Sequence, residues 1–206
     1  MNDLIQTFAL IEMSITCSLV LMLGIQKFSQ LKFPLAAKFL LLFILTNLFF
    51  WRLGMFMELP LAAYVRGVVG DLSIVSTLLL WSTLLPSHKG APLAFKWSIA
   101  IIALCFYPFA LGLSMIDPYA WGYGSNIFLL AVLLSAVICA LANWTKGTWI
   151  IGLAIIAWVI HWHESANLWD YLLDPLLVIW SIFALVSLFL QKRKEKFRSG
   201  YLFRPG

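Results

Sequence analysis

Charge is scarce in this chain. Of 206 residues only 11% are Asp, Glu, Lys or Arg, while 63% are hydrophobic and the mean hydropathy is +0.95. A soluble domain has about a quarter of its residues charged. The composition therefore excludes a large soluble domain and requires an integral membrane protein. Cysteine is equally thin: Cys17, Cys105 and Cys139 sit inside apolar runs, far from any C-x-x-C spacing. They read as buried small hydrophobes rather than redox or metal groups. The chain has no H-E-x-x-H or H-x-x-x-H, no Gly-rich phosphate loop and no haem-type histidine pair across facing helices. No cofactor and no metal are expected. The opening residues, MNDLIQTFALIEMS, carry Asp3 and Glu12 where a signal peptide carries Lys or Arg, so the first apolar run is expected to be a retained span. The net charge of +5 is not patterned for nucleic acid, which is not an expected partner.

What the chain does have is long apolar runs. A membrane span needs about 20 mostly apolar residues rising 1.5 Å each, and the runs predict helices near 4–25, 37–57, 61–86, 97–116, 126–144, 148–162 and 172–190. Pro34, Pro60, Pro86, Pro92, Pro118 and Pro175 fall at or near these boundaries, where a missing N–H does least harm. On this arrangement 12 of the 14 basic residues lie on one side, including Lys27, Lys32, Lys38, Lys89, Lys96, Lys146 and the tail QKRKEKFRSGYLFRPG. That side is cytoplasmic by the positive-inside rule. Asp3, Glu58, Asp117, Glu164, Asp170 and Asp174 lie on the other. The expected fold is an all-α polytopic membrane bundle over residues 1–190, with seven transmembrane helices, the N-terminus outside and a basic cytoplasmic tail at 191–206. The run 148–162 is short for a span. Removing it would put the basic tail outside, so seven are kept.

Four ionisable residues fall inside the predicted spans: Glu12, Arg52, Arg66 and Asp71. Each costs about 2.5–3.5 kcal/mol at mid-helix on insertion scales, so such groups face the bundle and find partners. Arg66 and Asp71, five apart on one helix, are about 140° apart around its axis and poorly placed to pair. Arg52 is then the expected partner of Asp71, and Glu12 of Arg66. Three roles are open for this set. It can be a closed neutral network, or an outward-facing cavity where two arginines hold an anionic headgroup in bidentate fashion, or a proton or ion path. Asn47, Tyr64, Ser73 and Ser76 would line the cavity.

The densest polar stretch is HWHESANLWDYLLDP, residues 161–175, set between runs with nothing ionisable. A metal site would draw on His161 and His163 with Glu164, Asp170 or Asp174. On a helix the H-x-H spacing points the two rings apart by about 200°. A nucleophile at Ser165 would need a local signature that is absent. The third account is an extracytoplasmic interface made by His161, His163, Glu164, Asn167, Trp169, Asp170 and Asp174. In it Trp162, Trp169 and Tyr171 form an aromatic belt, and Asp174–Pro175 caps the last helix.

From Arg52 to Asn126, RLGMFMELPLAAYVRGVVGDLSIVSTLLLWSTLLP and the later IDPYAWGYGSN are similar to the membrane helices of the lipoteichoic-acid-synthase and phosphoglycerol-transferase family. Arg52, Gly67, Asp71, Asp117, Tyr119 and Gly124 carry the match. That family has a large extracytoplasmic catalytic domain with a threonine nucleophile and a metal site, and its catalytic residues have no counterpart here. The resemblance implies a membrane module beside anionic envelope lipids, with chemistry supplied by another protein. The expected function is a bacterial inner-membrane accessory or subunit of envelope lipid or glycan metabolism, partnered by membrane lipids and a membrane protein. Its rivals are a small transporter or flippase using Glu12, Arg52, Arg66 and Asp71, and an intramembrane enzyme centred on His161, His163 and Glu164.

Overall fold

The computed structural model describes residues 2–30, 33–54, 57–85, 90–113 and 115–202, and every regular element among them is helical. The α-helices are α1 (Asn2–Ser29), α2 (Leu35–Phe50), α3 (Leu61–Val69), α4 (Ile74–Trp81), α5 (Leu93–Pro108), α6 (Asn126–Leu141), α7 (Thr145–Val159), α8 (Leu168–Leu172) and α9 (Pro175–Leu202). Three are long and apolar enough to cross a membrane: α1, α5 with its extension to Leu113, and α9. Four further apolar helices are shorter: α2, α4 with its last turn to Leu84, α6 and α7. Expected boundaries at Lys32, Pro86 and Lys89, and the last four residues of the tail, lie outside the described residues. The tail is helical as far as it is described, because α9 runs on through the basic residues to Leu202.

α1 packs on α2, α3 and α4; α4 packs on α7; α7 on α6 and α8; α5 on α9. Small side chains make these approaches possible: Ser14, Ser18, Ala62 and Ala154 have no exposed surface. Lipid tails offer no hydrophobic drive between helices, so close contact between small residues does that work. The outward faces are oily instead. α2 buries no residue at all, and Phe39, Leu40, Phe43 and Ile44 stand exposed along it.

One expected span is not a single helix. The run 61–86 breaks between α3 and α4. Gly70 takes φ +79°, ψ −175°, a region essentially confined to glycine; residues 71–73 have no regular structure, and Ser73 is extended. Ser73 then starts α4 afresh, its Oγ accepting from Ser76 N–H at 3.1 Å. α2 also ends sooner than expected, at Phe50, with Trp51 extended and Gly54 at φ +72°. Arg52 therefore lies beyond the helix rather than in it. α5 passes at Phe109–Leu113 into a wider π turn that contains Gly112 at φ +88°.

Candidate functional site

The break in the third apolar run brings together the groups that helical geometry would have separated. Freed from helix, Asp71 turns back on Arg66. Nε donates to Oδ1 at 2.5 Å and an Nη to Oδ2 at 2.8 Å, a bidentate pair. Glu164 approaches the same guanidinium at 3.6 Å. This corrects the expectation that Arg66 and Asp71 cannot meet, which assumed an unbroken helix. Arg52 is not the partner of Asp71; it is exposed and takes no ion pair among the described residues.

Glu12 does not serve Arg66 either. From α1 its carboxylate accepts Thr77 Oγ1–H at 3.0 Å and the Trp162 indole N–H at 2.9 Å. His163 Nε2 stands 3.4 Å away. That ring is 5% exposed and stacks on Tyr171, centroids 5.0 Å apart. Tyr171 is fully buried; its hydroxyl accepts from His163 N–H and donates to the Ser165 carbonyl at 2.9 Å.

The 161–175 stretch buries Tyr171, half-buries Trp162 and Trp169, and leaves His161 and Glu164 exposed. It folds back as a plug in one end of the bundle. α7 stops at Val159, and His161 turns the chain with φ +52° and stays exposed while His163 points inward. Trp169 is held between Phe106 and Phe128, at 4.4 and 4.3 Å, and its indole N–H donates to Pro118 O. Asn167 is fully buried, capping α8 through Trp169 N–H and donating to Tyr119 O at 2.9 Å. A Cβ on Gly122 would overlap that amide, so the Tyr119–Gly122 turn can seat there only with glycine. Asp170 accepts from Tyr119 Oη at 2.9 Å and Ser165 Oγ at 2.5 Å. Burial, followed by that bond to Asp170, pushes the Tyr119 hydroxyl well above the ordinary phenol range.

Asp174 caps α9 as the Asp-Pro pair implied, accepting Leu177 N–H at 2.8 Å. It also does what no local pattern announced. Its other oxygen accepts the Ser73 N–H at 3.0 Å, the Ser73 hydroxyl at 2.6 Å and the Ser76 hydroxyl. One buried carboxylate thereby ties the start of α9 to the helix break.

A cavity of about 490 Å³ opens beside this cluster, lined by Asp71, His163, Asp170 and Asp174 together with Tyr107, Tyr119 and apolar residues of α5 and α9. On the far side of His163 a pocket of about 10 Å³, with Glu12, Thr16, Asp71 and Thr77 on its walls, is about the size of one water. Neither Arg52 nor Arg66 lines the larger cavity. Asn47 and Tyr64 stay outside it: Asn47 bonds Phe43 O and the Trp51 indole, and Tyr64 is 45% exposed. Thr77 and Tyr107 were not foreseen; Thr77 follows Ser76 at the head of a Leu-rich run, and Tyr107 is a lone hydroxyl in an apolar one.

The geometry is unsuited to nucleophilic catalysis at Ser165, whose hydroxyl faces Asp170 and not a histidine; a triad places the base between the two. Among the described residues, no three His, Cys, Asp or Glu side chains are grouped to hold a metal ion. No family model, curated protein or solved structure matches the chain.

Proposed function

We propose that this chain is a multi-pass protein of the bacterial inner membrane, acting as an accessory subunit in envelope lipid or glycan metabolism. In this reading seven helices cross the bilayer, with the N-terminus outside and the C-terminus cytoplasmic. The working end is extracytoplasmic, where the cavity beside the helix break receives a lipid headgroup and a membrane protein partner supplies the chemistry. The break carries the reading. Irregular backbone at membrane depth is tolerated where it is buried in protein or lines a polar cavity. Here Asp71 lines that cavity and Ser73 is bonded to a second lining residue, Asp174. A headgroup is the polar ligand that the membrane surface itself presents. The similarity of residues 52–126 to the lipoteichoic-acid-synthase and phosphoglycerol-transferase membrane helices supports the same setting, since Asp71 and Tyr119 both carry that similarity and line the cavity.

The experiment is a melting series in mild detergent with added short-chain phospholipids. A ligand that binds only the folded state raises the melting temperature. A rise with at least one headgroup is expected; no rise with any would overturn the reading. A small transporter or flippase is the second reading, favoured by the discontinuous helix that carries Arg66 and Asp71, a device transporters use at their binding sites. Lipid scrambling or solute uptake in reconstituted vesicles, lost in Asp71→Leu, would select it.

A further inference from the structure

The cavity at the plugged end offers acceptors in excess of donors. Asp170 receives both of its side-chain hydrogen bonds on Oδ2, leaving Oδ1 without a partner among the described residues. His163 turns Nε2 to Glu12, and its other ring nitrogen has no partner among the described residues. In the neutral tautomer that carries its proton on Nε2, toward the carboxylate, Nδ1 is an acceptor. The Tyr107 hydroxyl stands within electrostatic reach of Asp170 and Asp174 and has no described hydrogen bond. All three residues line the same space.

The charge there has one sign. Asp71, Asp170 and Asp174 line the cavity, and the nearby guanidinium of Arg66 is already held by Asp71 and Glu164. An entering phosphate would meet carboxylates first, and like charges brought together oppose binding. A primary ammonium has the opposite properties: positive charge, three N–H donors and no acceptor. The rings of Phe106, Tyr107 and Tyr119 on the wall favour a cation further.

Resting on the headgroup reading above, we infer that this cavity binds a primary ammonium group, carried by an ethanolamine-type phospholipid or by a small free amine. Asp170 is its counter-ion, and His163 Nδ1 and the Tyr107 hydroxyl are its neutral acceptors. The cavity lies between α5 and the start of α9, where Leu111 is 80% exposed on the outer face, so lipid tails have apolar surface beside the headgroup.

The full chain, purified in mild detergent, is titrated separately with short-chain phosphatidylethanolamine, phosphatidylcholine, phosphatidylglycerol and free ethanolamine while its melting temperature is followed. Phosphatidylethanolamine should give the largest rise, phosphatidylcholine (a cation without N–H donors) a smaller one, and phosphatidylglycerol none. An equal rise with ethanolamine alone assigns the site to a free amine; a rise with the lipid only assigns it to the headgroup. Asp170→Asn should weaken phosphatidylethanolamine by about tenfold, the loss expected for a charge-assisted hydrogen bond. Tyr107→Phe should give a smaller loss of the same sign and serves if Asp170→Asn fails to fold. A rise with phosphatidylglycerol equal to or above that with phosphatidylethanolamine overturns the ammonium assignment and leaves the headgroup reading standing. Unchanged affinity in the folded variants also overturns the assignment. No response to any phospholipid overturns the headgroup reading as well.

Discussion

Asp174 joins more of the molecule than any other carboxylate in the cluster. It is 5% exposed and accepts from two backbone N–H groups and two hydroxyls on two helices. Hydrogen bonds to a charged acceptor contribute about 1.5–3 kcal/mol each, and donors left buried without a partner cost about 1–3 kcal/mol. Asp174→Ala should therefore lower stability by about 3 kcal/mol or more, read from denaturant or thermal unfolding in detergent; a loss under about 1 kcal/mol would mean the donors find water instead. Tyr119 gives a pH signature. Its folded-state pKa is raised, by burial first and then by the bond to Asp170, so the folded protein holds the phenol proton more tightly than the unfolded chain. That contribution is fully present below the ordinary tyrosine pKa of about 10 and is lost as pH climbs above it. The melting temperature should fall more steeply between about pH 9.5 and 11 in the parent than in Tyr119→Phe. Equal slopes would show that another group governs the alkaline limb.

The helix break turns on one backbone residue, because Gly70 is the described residue between α3 and α4 that takes a positive φ. Nothing lies within 4 Å of where its Cβ would be, so a substitution there meets backbone strain and no clash. Gly70→Ala should cost about 1–3 kcal/mol, while Gly67→Ala, inside α3 with equally open surroundings, should be neutral or slightly stabilising. A stable Gly70→Ala protein would mean that the helix can close through the break, pulling Asp71 away from Arg66. The break had a legible trace. Gly70 is a stop signal, and Ser73 followed by an apolar run is a start signal. Those two short signals sit inside an apolar run of span length, and hydropathy over twenty residues outweighs them. The helical class was legible for the same reason, since apolar runs leave few alternatives, and three of the runs are helices of spanning length. The partners were not. Glu12 meets His163 across 151 positions and Asp174 meets Ser73 across 101, and no local spacing encodes either contact. Asp71 with Arg66 was misjudged because the angle between them depends on the φ of Gly70.

The plugged end collects five of the nine acids. Glu12, Asp71, Glu164, Asp170 and Asp174 are linked there through shared partners or one cavity, with Arg66 held among them, while Lys192, Arg193, Lys194 and Lys196 lie in the extension of α9. The element that decides the topology is α7. Its 15 residues span about 22 Å at 1.5 Å per residue, short of the roughly 30 Å of hydrocarbon. It is also packed by α4, α6 and α8, with Ile150, Ile151, Ala154 and Ala157 buried. An enclosed helix can be short, since its ends meet protein and polar cavity rather than lipid. If α7 crosses, the Ser125 turn and the C-terminus lie on opposite sides. An alkaline phosphatase fused at Ser125 should then be active and a fluorescent protein fused after Gly206 should fluoresce. If α7 enters and leaves on one face, both fusions report the outside. The basic tail would then be extracytoplasmic, against the pull of Lys and Arg toward the cytoplasm. Phosphatase activity at Gly206 would therefore sink the seven-span arrangement, and with it the claim that the acidic cavity faces outward.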